Sequence, residues 1–195
     1  MQIGRLAARA VIGGLFIGHG TQKLFGWFGG PGLDGTEQMM GALEMRPTRP
    51  NALAAGLSEA AGGALLLAGA ATPVAASALI GTMVTAIRKV HQPNGPWVTN
   101  GGWEYNAVLI AALTALVDAG PGDVSVDAHA GRDEWGPGWA AAGLALGAAA
   151  STAAIALGRR GGGTAGGADV PRPRGDVADG ARDGAAGDPV TTVAD

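Results

Sequence analysis

The chain has 195 residues, of which 47% are apolar and 15% charged; it contains no cysteine and carries a net charge of −3. Residues 159–195 hold 11 of the 29 charged side chains, so residues 1–158 are poorer still in charge. Soluble domains average about 25% charged residues, and this composition argues against a soluble enzyme and favours a protein in lipid. Without cysteine the chain cannot form a disulfide, a thiolate nucleophile, or a cysteine-ligated zinc or iron–sulfur site. The small negative charge gives no reason to expect nucleic acid as a partner.

Five apolar segments approach the length of a membrane span, which predicts an all-α polytopic membrane protein. The first four should form a four-helix bundle within residues 1–122, and a fifth should follow a polar loop within residues 123–160. The predicted spans cover residues 3–28, 51–71, 73–90, 103–120 and 137–157. Residues 36–45 should form an interfacial or re-entrant helix. The tail, residues 161–195, has no aromatic residue, leucine or isoleucine, and it should be disordered because it cannot bury enough apolar surface.

Lysine and arginine are unevenly divided between the two predicted membrane sides. With the N-terminus outside, three of them face outward: Arg5, Arg9 and Arg132. Seven face inward: Lys23, Arg46, Arg49, Arg88, Lys89, Arg159 and Arg160. The positive-inside rule therefore favours an N-out, C-in orientation. All five tryptophans lie near predicted span ends or in connecting loops, where an aromatic belt is expected.

Three polar residues fall inside the first two predicted spans, where an ionisable group is costly unless it is paired or hydrated. His19 and Lys23 are four residues apart and share one face of the first helix, and Glu59 lies about 12 Å into the second span. Three interpretations remain open. A pair between Glu59 and Lys23 or His19 could simply lock the two helices together. The three residues could instead line a pocket for a quinone head group or a proton path, or Lys23 could extend to the interface without a partner.

A second group of polar residues surrounds the start of the fourth predicted span. Asn100, Glu104 and Tyr105 should lie on the same membrane side as Lys23 and Arg88, which makes them, with Arg88, a candidate mouth of the polar site. The alternative is helix capping, because an acidic residue in a first turn complements the helix dipole. The three histidines lie far apart in the chain, so the sequence predicts no metal site. It assigns no catalytic residue.

Three segments resemble the DoxX family of small bacterial membrane proteins. Residues 19–26 read H-G-T-Q-K-L-F-G, residues 59–63 read E-A-A-G-G, and residues 100–106 read N-G-G-W-E-Y-N. The resemblance covers about residues 4–120 and implies a four-helix membrane bundle, here extended by a fifth helix and the tail. Some relatives are linked to quinone-coupled oxidation of thiosulfate, or to thiol and superoxide defence complexes at the membrane.

The resemblance implies a DoxX-like subunit of a quinone-linked redox or oxidative-stress-defence complex in a bacterial cytoplasmic membrane. No covalent cofactor is expected, and a quinone is the candidate ligand. Besides the lipid bilayer, the candidate partners are soluble redox or thiol enzymes, which would supply thiol chemistry that a chain without cysteine lacks, and a second copy of the chain in a homo-oligomer. The alternative function is a non-catalytic membrane scaffold that docks soluble partners.

Overall fold

The computed structural model describes residues 2–132 and 134–163, the last three as backbone only. Every regular element within these ranges is helical, which confirms the all-α prediction. The α-helices of this part of the chain are α1 (Ile3–Phe25), α2 (Gly32–Ala42), α3 (Thr48–Ala68), α4 (Thr72–Ala86), α5 (Glu104–Ala119), α6 (Val126–His129) and α7 (Gly136–Gly163). The predicted disorder of residues 164–195 lies outside the described residues.

The five longer helices α1, α3, α4, α5 and α7 coincide with the five predicted spans to within a few residues. Three helical segments are long and apolar enough to cross a membrane: Thr48–Ala68, Thr72–Asn94 and Gly136–Arg160. Helix α5 has 16 residues, fewer than the roughly 20 that a span usually needs, and α1 carries charged residues at both ends. The chain is therefore a polytopic membrane protein, and the count of five spans stays a prediction for α1 and α5.

Two boundaries differ from the prediction. The helix expected over residues 36–45 begins at Gly32, because the turn at Gly29–Pro31 ends and the helix starts directly after it. The last helix continues to Gly163, three residues into the segment predicted to be disordered. Backbone hydrogen bonding propagates from a long apolar helix into a few residues of low helix propensity, and composition alone does not reveal this.

Helices α1 and α3 pack against each other in opposite directions through glycines. A Cβ atom added to Gly20 would lie 2.7 Å from the carbonyl oxygen of Gly56, and one added to Gly13 would lie 2.7 Å from that of Gly63. Small residues at such positions allow two backbones to approach closely in a membrane. This contact fixes α1 beside α3 and brings Lys23, in the last turn of α1, within reach of Glu59.

Helix α4 lies at the centre of the bundle, against α3, α5 and α7. Its residues Leu79 and Ile80 are fully buried together with Leu113 of α5. After Ala86 the helix continues as a π-helical turn over Ile87–His91. Such turns insert one residue into the helical repeat and occur frequently at functional sites.

The helix directions define two ends of the bundle. One end gathers the seven lysine and arginine residues predicted to face inward, and we call it the basic end. It contains the C-termini of α1, α4 and α7, and the backbone N–H of Arg46 donates to the carbonyl of Gly158 there at 3.3 Å. Helix α2 lies at the same end, between α1 and α3. The opposite end contains the start of α1 and the short helix α6.

Candidate functional site

Lys23 and Glu59 form a buried ion pair between α1 and α3. The Lys23 Nζ atom lies 2.5 Å from Glu59 Oε2. The Glu59 side chain is 4% exposed and the Lys23 side chain 21%. Glu59 therefore points inward, away from lipid, and Lys23 is engaged by a partner instead of extending alone to the interface.

The ion pair lies in the wall of a cavity of about 670 Å³ between the helices, in the half of the bundle nearer the basic end. His19, one turn before Lys23, lines the same cavity. The structure thus brings all three predicted intramembrane polar residues to one site. Other polar side chains in the lining are Ser58 of α3, and Tyr105 and Asn106 of α5.

Methionine supplies an unusual share of the cavity wall. Four of the five methionines of the chain line it: Met39, Met40, Met45 and Met83. Methionine side chains are flexible and polarizable, and they adapt to ligands of different shape. The sequence analysis missed these residues, although their clustering at residues 39–45, in a helix expected at the interface, was a signal for a binding surface.

The predicted mouth of the site divides. Tyr105 lines the cavity, whereas Arg88, Asn100 and Glu104 lie beside it. The Arg88 guanidinium donates to Thr152 Oγ1 on α7 at 3.0 Å. A Glu104 carboxylate oxygen accepts from the backbone N–H of Val98 at 2.8 Å, so this residue fastens the loop before α5. Asn100 ends a short 3₁₀ turn in that loop.

Two cationic residues that the sequence analysis did not assign to the site, Lys89 and His91, also line the cavity. Both belong to the π-helical turn at the end of α4. The Nδ1 atom of His91 lies 2.7 Å from the carbonyl oxygen of Gly101. Because a carbonyl can only accept, Nδ1 carries the hydrogen, and Nε2 remains for another partner. The run of basic residues at the end of the third predicted span was the sequence signal for this part of the site.

A separate polar cluster closes the opposite end of the bundle. Arg9 is 2% exposed, and its guanidinium donates to the carbonyls of Leu66 and Leu67 at the end of α3, at 3.0 and 2.8 Å. It also donates to those of Pro121 and Val124 after α5, at 2.6 and 2.9 Å. A single side chain therefore satisfies four carbonyls from two helix termini.

Asp127 completes this cluster by capping α4. Its carboxylate accepts from the backbone N–H groups of Ala71 and Thr72, at 2.8 and 2.9 Å, and from the Thr72 hydroxyl at 2.8 Å. Burial alone would raise the pKa of Asp127, but these hydrogen bonds outweigh it and hold the pKa below its usual value. The sequence analysis had treated Arg9 as a flanking charge and Asp127 as part of a polar loop.

Within the described residues, no group of three histidine, aspartate or glutamate side chains is placed to hold a metal ion. The fold and the cavity define the class of the protein: an all-α polytopic membrane protein with a largely apolar cavity and a buried lysine–glutamate pair in its wall.

The comparison with known families agrees. Residues 4–92 match the DoxX family, and the chain belongs to it. The match includes His19, Lys23, Glu59 and Lys89, whereas the segment at residues 100–106 lies beyond it. Comparisons with curated proteins and with solved structures gave no match.

Proposed function

We propose that this DoxX-family protein is the membrane subunit of a quinone-linked redox or oxidative-stress-defence complex, and that its cavity binds the quinone. The observation that carries the proposal is the cavity itself, which combines a mainly apolar wall with the Lys23–Glu59 pair and His19. Its volume of about 670 Å³ is typical of small-molecule sites.

The residues present fit a quinone in both of its parts. The ring carries two carbonyl oxygens, and Lys23 Nζ, the His19 ring and the Tyr105 hydroxyl are donors in the lining. The isoprenoid tail is apolar and flexible, and the methionine-rich wall suits it. When bound, a quinone supplies two-electron, two-proton redox chemistry.

The chain's own residues would bind and orient the ring. Lys23 is held against Glu59, so its ammonium group keeps a fixed position in the wall instead of sampling the interface. Glu59 is the single carboxylate in the described cavity lining, and it holds one of the Lys23 protons in a hydrogen bond at Oε2. This arrangement places a proton donor and its acceptor next to the proposed ring position.

Electrons would have to come from a partner, because a chain without cysteine offers no thiol of its own. The proposal therefore includes a soluble redox or thiol enzyme that docks at the membrane. It places the protein in a bacterial cytoplasmic membrane with the N-terminus out and the basic end at the cytoplasmic leaflet, as the positive-inside rule favours.

The test is the quinone content of the protein purified in a mild detergent, measured by extraction and chromatography. We expect ubiquinone or menaquinone in near-stoichiometric amount in the wild type, and its loss in the double variant Lys23→Met with Glu59→Gln. Arg49→Gln is the matched control, since Arg49 forms an exposed pair with Glu37 at 3.3 Å outside the cavity. A wild type without quinone that still captures a soluble partner would overturn the proposal and favour the scaffold alternative.

A further inference from the structure

The charges in the cavity wall do not balance. Three formally charged side chains line it: Lys23, Glu59 and Lys89. Glu59 is engaged by Lys23, and no carboxylate of the described residues lies within salt-bridge distance of the Lys89 ammonium group. Lys89 is half-buried. The site therefore presents one cation that the described part of the chain does not neutralise.

The helix dipole does not remove this excess. The C-terminus of a helix carries about half a negative elementary charge, and at the end of α4 this partial charge is shared by Arg88 and Lys89. His91 adds a further cation whenever its Nε2 atom is protonated, because Nδ1 is already a donor to Gly101. An anion is the complement of this corner of the cavity.

The remainder of the wall restricts the kind of anion. Leu15, Met39 and Tyr105 line the cavity and are 48%, 38% and 47% exposed. The cavity is thus open at its side, and in a membrane protein such an opening faces acyl chains. A small hydrated anion would lose its water beside this apolar wall, whereas an amphiphile would place its chain there and its head group at the cations.

We propose that Lys89 and His91 bind the phosphate of an anionic phospholipid, with one acyl chain entering the cavity past Leu15 and Met39. The location agrees with this ligand, since the basic end is the end expected at the cytoplasmic leaflet, which is rich in anionic lipids. This site is distinct from the Lys23–Glu59 pair, and the inference does not rest on a quinone being bound there.

Native mass spectrometry of the full chain in detergent tests the proposal, with added phosphatidylglycerol or phosphatidylcholine of the same acyl chains. We expect preferential retention of phosphatidylglycerol, weakened roughly fivefold by Lys89→Gln, as expected for one lysine near an anionic lipid. Arg88→Gln is the matched control. It removes the same charge one residue away, from an exposed side chain that bonds to α7 outside the cavity lining, and it should leave retention unchanged.

Further arms separate the remaining explanations. Lys89→Arg should retain the lipid, and His91→Gln should weaken it, which gives a second measurement if Lys89→Gln fails to fold. An equal loss in the Lys89→Gln and Arg88→Gln variants would overturn the proposal in favour of general surface attraction. Equal retention of the two lipids would overturn it as well. Displacement of phosphatidylglycerol by an equal concentration of inorganic phosphate would show a site for the free anion. The quinone content, measured separately, decides the proposed function.

Discussion

Replacing the partners of the Lys23–Glu59 pair one at a time should destabilise the protein unequally. Removing one partner of a buried pair typically costs about 3–5 kcal/mol, because the other charge is left buried without compensation. The Glu59 side chain is 4% exposed, so Lys23→Met leaves a carboxylate that cannot reach water. We expect a loss of about 3–5 kcal/mol for this variant.

Glu59→Gln should be the milder change. The lysine that it leaves behind is 21% exposed and lies in the last turn of α1, from which a long side chain can extend to the interface. The amide of glutamine also keeps an oxygen that accepts from Lys23. We expect a loss of about 1–3 kcal/mol, in the range for a weakened buried hydrogen bond.

The double variant, Lys23→Met with Glu59→Gln, should recover most of the stability, to within about 1–2 kcal/mol of the wild type, since neither charge is left unpaired. The assay is equilibrium unfolding in mixed micelles, by titration with a denaturing detergent and circular dichroism. Losses of equal size in the two single variants would refute the burial argument, and a double variant as unstable as Lys23→Met would refute the pairing argument. A stable double variant that still binds quinone would show that the pair is structural only.

Three further predictions concern the rest of the fold. Gly20→Ala should destabilise by about 1–3 kcal/mol through its clash with the α3 backbone, while Gly14→Ala, with no atom within 4 Å on the same helix, should be neutral or slightly stabilising in the same unfolding assay. Arg9→Lys should cost about 2–4 kcal/mol, because an ammonium group has three donors and cannot serve four carbonyls. Asp127 has a lowered folded-state pKa, so its contribution is present above the ordinary value of 3.8 and lost as pH falls through the folded value. Asp127→Asn should therefore be less stable at neutral pH, by about 1–2 kcal/mol, and should lose less stability than the wild type on acidification below pH 3.8.

The helices and the ion pair could be predicted because both depend on local patterns. Apolar runs of span length, broken by glycine and proline, place the longer helices to within a few residues. Lys23 and Glu59 lie on consecutive predicted spans at matching depth, and lipid leaves a buried carboxylate few alternatives to a partner. Fold class and family follow from these same local features.

The other half of the site could not be predicted because it depends on how separate helices meet. Lys89 reaches the cavity only because α4 ends in a π-helical turn, which shifts the register of the residues that follow. Met39 and Met83 share the cavity wall although 44 positions separate them in the chain. Arg9 finds its four carbonyls at two helix ends that sequence spacing does not bring together.

The two ends of the bundle have opposite designs, and this separates stability from binding. At one end, Arg9 and Asp127 join α1 to the termini of α3, α4 and α5 through hydrogen bonds that leave little freedom to move. At the basic end, the helices diverge around a cavity whose wall is flexible in its methionines and charged at Lys23 and Lys89. Ligand binding can therefore rearrange the basic half while the opposite end holds the helices in register. Substitutions in the Arg9–Asp127 cluster should lower stability without changing which ligand is bound, because they leave the cavity wall intact.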